Sequence, residues 1–180
     1  LDGEVSELIT FGNIVPTGLA RAGNKIYMSE AGPVPHLPAN GKVVAFLPGD
    51  STATQIAWGA RLVVDVEFGR GRTLYALSQG FFVPGHPEGS PAEPDTGSLV
   101  EVNNDGTFTD VYGPLDRPTS LEFVGNTAYV VTLAGEIWKI DNVGVPPFGA
   151  LQIAAWVAMV ALTPSVCRAR GWSWIYGAGA

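Results

Sequence analysis

The two histidines, His36 and His86, both lie in proline-rich stretches, beside Pro35 and Pro87. Carboxylates stand near them in the chain: Glu30, Glu88 and Asp95. Imidazole and carboxylate groups that converge make a divalent-metal site; two solvated loop histidines are the plainer reading of the same residues. The single cysteine, Cys167, excludes an intramolecular disulfide and a cysteine-based zinc site. No nucleophile elbow, phosphate-binding Walker loop or dinucleotide fingerprint occurs. Gly69-Arg-Gly-Arg72 is basic and glycine-rich enough to suggest a phosphate, and Asn104-Asp105-Gly106 suggests a calcium loop. Both stand where a hairpin turn is expected.

That expectation comes from an internal repeat. Val15-Pro16-Thr17-Gly18-Leu19, Val63-Val64-Asp65-Val66-Glu67-Phe68 and Arg117-Pro118-Thr119-Ser120-Leu121-Glu122-Phe123 align. Ten residues after Thr17, Asp65 and Thr119 comes a tyrosine each time: Tyr27, Tyr75 and Tyr129. Between lie the turns Gly23-Asn24, Gly69 to Arg72 and Gly125-Asn126, and a third extended run begins with glycine at Gly41, Gly97 and Gly135. A fourth run ends in an aromatic and glycine, Trp58-Gly59 and Tyr112-Gly113, and the same pair, Phe11-Gly12, precedes the first repeat.

Four short antiparallel strands per repeat of about 40 residues are the pattern of a propeller blade. The fold class is therefore all-β: three four-stranded propeller-type blades over residues 1–142, with strands near 17–22, 24–29, 41–46 and 54–58 and at the equivalent positions. The third blade stops at Ile140 before its rim strand, and a strand at about 4–11 leads the first blade. Three blades do not close a ring. The edges call for a protein partner, for more chain, or for a second copy whose leading strand completes the last blade. The long loops 31–40 and 80–96 fill the same slot of the repeat. They should share one face with Thr17, Glu30, His36, Asp65, His86 and Thr119, which together make the candidate ligand-binding face.

Residues 8–148 resemble the ScyD/ScyE-like propeller proteins, broadly related to NHL and gluconolactonase-type propellers. The resemblance rests on Val15 to Leu19 with Ile26 to Gly32, on Asp65 to Phe68 with Leu74-Tyr75, and on Pro118 to Leu133 followed by Gly135 to Asn142. It implies the C-terminal half of a secreted or periplasmic six-bladed disc and carries no agreed catalytic motif. Gluconolactonase-like propellers hold a divalent metal in the channel. The positions that correspond here offer Glu30 and Asp65, a pair suited to Ca²⁺ with carbonyls and water. Asp65, Thr17 and Thr119 serve equally as caps of the turn into each inner strand.

The chain has 180 residues, 17 acids against 10 Lys and Arg, and a net charge of −7. This acidity argues against non-specific nucleic-acid binding. No acid follows Asp141, and residues 143–167 carry no charge. Within them, residues 148–166 are apolar over about the 20 residues that a bilayer-spanning helix needs. Arg168, Arg170, Trp172, Trp174 and Tyr176 follow as an interfacial anchor within the short tail 168–180. The segment reads as a transmembrane helix or as a buried core helix; if it spans, residues 1–142 lie on the periplasmic or extracellular side. Two functions fit: an extracytoplasmic interaction module attached to a membrane complex, or a metal-dependent lactone or ester hydrolase of the gluconolactonase type.

Overall fold

The computed structural model describes residues 3–144, which belong to one unit. It is all-β, with two short 3₁₀ turns at Pro38–Asn40 and Arg70–Arg72. The first sheet runs β1 (Pro16–Ala22), β2 (Lys25–Glu30), β3 (Lys42–Phe46) and β4 (Thr54–Trp58) in that spatial order. The second runs β5 (Val63–Phe68), β6 (Leu74–Ser78), β7 (Gly97–Val102) and β8 (Phe108–Leu115). The third has β9 (Pro118–Val124), β10 (Thr127–Thr132) and β11 (Ile137–Ile140). Every pairing is antiparallel between chain neighbours, so each sheet is a meander and a propeller-type blade. Gly23 (φ +64) and Gly125 (φ +66) open two-residue hairpin loops in the left-handed conformation that a II′ turn asks of its first central position.

The blades stack through their inner strands, β1 against β5 and β5 against β9. The core therefore lies between blades. Ala20 and Val43 of the first blade pack with Val66, Ala76 and Val100 of the second. Tyr75, Leu77 and Leu99 of the second pack with Leu121, Ala128 and Val130 of the third. Alternation along each strand sends one side chain to the preceding junction and the next to the following one.

Strand pairing revises the sequence alignment by one residue in the second blade. Tyr27, Tyr75 and Tyr129 face Ala20, Glu67 and Glu122, so Thr17 and Thr119 correspond to Val64, while Asp65 corresponds to Gly18 and Ser120. The cause is the β5–β6 hairpin, whose loop from Phe68 to Leu74 is one residue longer than that from Arg21 to Ile26. The backbone agrees. Val15, Leu62 and Arg117, each just before an inner strand, hold φ of 52°, 46° and 48°. Their carbonyls accept from the N–H groups of Ala31, Gln79 and Leu133 at 2.9, 2.9 and 3.0 Å. Three bulky residues in the left-handed region at one repeat position are a strained device of the fold, at about 1–3 kcal/mol each.

The strand expected at about 4–11 is not formed: residues 3–12 have no strand. A strand needs a neighbour to bond to, and β3 is already paired on both sides, by β2 and β4. The segment instead lays Ile9, Phe11 and Ile14 on the free face of the first blade, over Met28, Val44 and Phe46. The Phe11 and Phe46 ring centroids are 6.0 Å apart. At the other end Val143 is buried in the core between blades two and three, and its N–H donates to Asn126 O at 2.9 Å. The candidate membrane helix 148–166 and the tail 168–180 lie outside the described residues. Among the described residues no helix is long and apolar enough to cross a membrane.

Candidate functional site

The two long loops meet. Both leave the same end of the inner hairpins and together wall a pocket of about 320 Å³. Thr17 and Val64 line it from the inner strands and Val15 and Leu62 from just before them, His36 enters from loop 31–40, and Glu88 and Ser90 from loop 80–96. Phe82 joins the loops: its ring stands edge-on to His36 at 4.9 Å and to His86 at 6.2 Å. Loop 80–96 is braced by Thr96, whose Oγ1 accepts from Phe81 N at 2.9 Å and donates to Glu93 O at 2.8 Å.

His36 is buried, with φ +54°. Its Nδ1 lies 2.7 Å from Gly32 O, and a carbonyl only accepts, so Nδ1 carries the proton. Nε2 has no hydrogen-bond partner among the described residues. His86 sits on the exposed side of Phe82. Both histidines thus stand edge-on to one aromatic ring.

The two carboxylates differ in their partners. Asp65 Oδ1 accepts from Val66 N at 2.9 Å, and Oδ2 accepts from Leu121 N on β9 at 2.7 Å. Oδ2 thus ties the second blade to the third, while Oδ1 is held by its own strand. Burial pushes the Asp65 carboxyl above its usual range, against the pull of these two backbone bonds. Gly18 leaves the space for it, because a Cβ there would run into Asp65 Oδ1. Glu30 is buried at the end of β2 across from Lys42. Burial raises its pKa too, and the Lys42 charge opposes the rise. No group of three or more His, Cys, Asp or Glu converges among the described residues.

The threonines are also ties. Thr17 Oγ1 lies 2.9 Å from Val63 O on the next blade and 2.9 Å from Ser29 Oγ, which in turn accepts from Gly18 N at 2.9 Å. Thr119 Oγ1 donates to Val131 O of its own blade at 3.2 Å. Gln79 was not marked by the sequence. Its Oε1 accepts from Ala92 N at 3.1 Å and it lines the pocket, so it fixes the long loop to the end of β6. A lone glutamine after a strand carries no periodic signal.

No family profile matches the chain, and no curated protein matches it. Among solved structures it is similar to the computationally designed Ika4 protein, at 14% identity and a TM-score of 0.40, over 78% of this chain and 100% of that one. It is also similar to streptogramin B lyase, at 15% identity and a TM-score of 0.38, over 73% of this chain and 41% of the lyase.

Proposed function

We propose that this chain is a β-propeller interaction module, acting outside the cytoplasm as an accessory subunit of a membrane complex, with its free third blade as the contact surface. One observation carries the reading. Leu77 and Leu99 of the second blade are fully buried against the third, whereas the residues at the same repeat positions in the third blade, Val131 and Ile137, are exposed. Ile137 is 73% exposed where Leu99 and Val43 are 0%. Two apolar residues at junction positions, with nothing over them among the described residues, make a surface suited to a partner. The location outside the cytoplasm is supported by the sequence alone, through the apolar run 148–166 followed by Arg168 and Arg170. The hydrolase reading has less support: Asp65 already accepts two backbone N–H bonds, and no group of three or more metal-ligating side chains converges among the described residues.

The test is the double variant Val131→Asp/Ile137→Asp of the full chain, purified in mild detergent. With detergent mass subtracted, the wild type is expected above 18.9 kDa, alone or with a co-purifying partner, and the variant at 18.9 kDa with an unchanged far-ultraviolet circular dichroism spectrum. A wild type that is a lone monomer overturns the proposal. The anchoring is checked by carbonate extraction: removal of residues 148–180 should release the protein from membranes.

A further inference from the structure

Resting on that reading, the geometry points to a second copy of this chain as the partner: its residues 4–11 add a fourth strand to β11, and its first blade covers the third blade. Four features of the third blade are those of a junction with its other half missing. The sheet has three strands where its sisters have four, so the outer edge of β11 is unpaired among the described residues. Its free face shows Val131 and Ile137 where the sister blades bury their counterparts. Thr119 stops at its own blade, where Thr17 reaches the carbonyl of Val63 on the next. The glycines that open the third strands complete the pattern. A Cβ at Gly41 would strike Ala60 O and press on Val63, and one at Gly97 would strike Pro118, whereas one at Gly135 would meet nothing within 4 Å. Val63 and Pro118 are the first residues of the next inner strand, and their counterpart in the first blade is Pro16.

The first blade supplies the complement. Leu19 stands where Val66 and Leu121 stand in their sheets, and it is 63% exposed where they are 1% and 5%. Phe11-Gly12 precedes Pro16 by the spacing at which Trp58-Gly59 precedes Val63. Ile9 therefore corresponds to Ile56, and each already packs on the face of the blade that follows. Residues 4–11 thus lie where the rim strand of a preceding blade would lie, without the strand that such a rim strand bonds to. Carrying over the β3–β4 register sets Thr10 opposite Ile137, Leu8 opposite Trp138 and Glu7 opposite Lys139. The last pair is of opposite charge. Two copies joined this way in both directions make six blades, and strand addition at an exposed edge is an established recognition mode.

Two differently tagged full chains test it, one carrying Thr10→Cys and the other Ile137→Cys, each with Cys167→Ser. Both substituted positions are outside the buried core, so folding is retained. On oxidation the mixture should give a cross-linked species with one copy of each tag, and neither chain alone should give it. Light scattering of the wild type should show twice 18.9 kDa, and Leu19→Asp should weaken the association at least tenfold. A wild-type dimer without the cross-link overturns the head-to-tail arrangement. A complex of one copy with a different protein, lost on changing Ile137, overturns the second copy and keeps the interaction module. A lone monomer ends both.

Discussion

Asp65 shows what one side chain does at a blade junction. Its carboxylate accepts from Leu121 N across the junction and from Val66 N on its own strand. Asp65→Ala strands both donors beside a buried core and is expected to cost about 2–3 kcal/mol, read as a lower midpoint in urea. Asp65→Asn keeps one acceptor oxygen and should cost about half as much. The Glu30 pKa is also raised by burial, but its carboxylate accepts no backbone hydrogen bond among the described residues, so losing its charge should stabilise the fold. Burial holds its folded pKa above the ordinary value of 4.5, so between that value and the folded pKa the native state binds more protons than the unfolded chain. Its contribution is then fully present below 4.5 and is lost as pH rises through the folded pKa. Glu30→Gln should raise the melting temperature at pH 7 and flatten the melting-temperature profile above pH 4.5. The same variant examines calcium: a wild-type melting temperature that rises with Ca²⁺, and a variant that does not respond, would restore Glu30 as a ligand. That each inner strand carries a polar residue within its first three positions was legible in the sequence. Which backbone group it meets was not, because counting back from the tyrosines ignores the extra residue in the β5–β6 hairpin.

Among the elements, the strands were legible to within a residue or so. Runs expected at 17–22, 24–29, 41–46 and 54–58 appear as Pro16–Ala22, Lys25–Glu30, Lys42–Phe46 and Thr54–Trp58. The repeat made this possible, since three copies of one pattern fix the turns that a single copy leaves ambiguous. The segment at about 4–11 defeated the same reasoning. Its residues carry the rim-strand signature, but a strand is a property of a pair, and the sequence does not say whether the neighbour is present. The glycines that begin the third strands give an element-level prediction. Gly97→Ala must push Pro118, the first residue of β9, away from β7, at about 1–3 kcal/mol in chemical denaturation. Gly135→Ala meets open space and pays only for its φ of +84°, about 1 kcal/mol. Equal losses at the two sites would mean that the close approach at Gly97 has no energetic weight.

At the scale of the whole molecule, the core lies between blades and not within them, so stability depends on neighbours. Leu99 and Ile137 hold the same repeat position, one sealed at a junction inside the chain and the other on an open face. Leu99→Ala removes apolar contacts and leaves a cavity, a loss of about 3 kcal/mol that should not vary with protein concentration. Ile137→Ala should change the stability of the dilute chain by no more than about 0.5 kcal/mol, because an exposed side chain has little burial to lose. The difference between the two should shrink as the protein is concentrated. Association stabilises the folded state by mass action, so the wild-type melting temperature climbs with concentration, and a chain weakened at Ile137 falls progressively behind it. Thermal unfolding of wild type, Leu99→Ala and Ile137→Ala from below micromolar to about 100-fold higher concentration separates the cases. Parallel curves for wild type and Ile137→Ala would show that the third blade's free face takes no part in assembly. Curves that diverge only for Ile137→Ala would show that an open junction obeys the same packing rules as a closed one, with protein concentration standing in for chain connectivity.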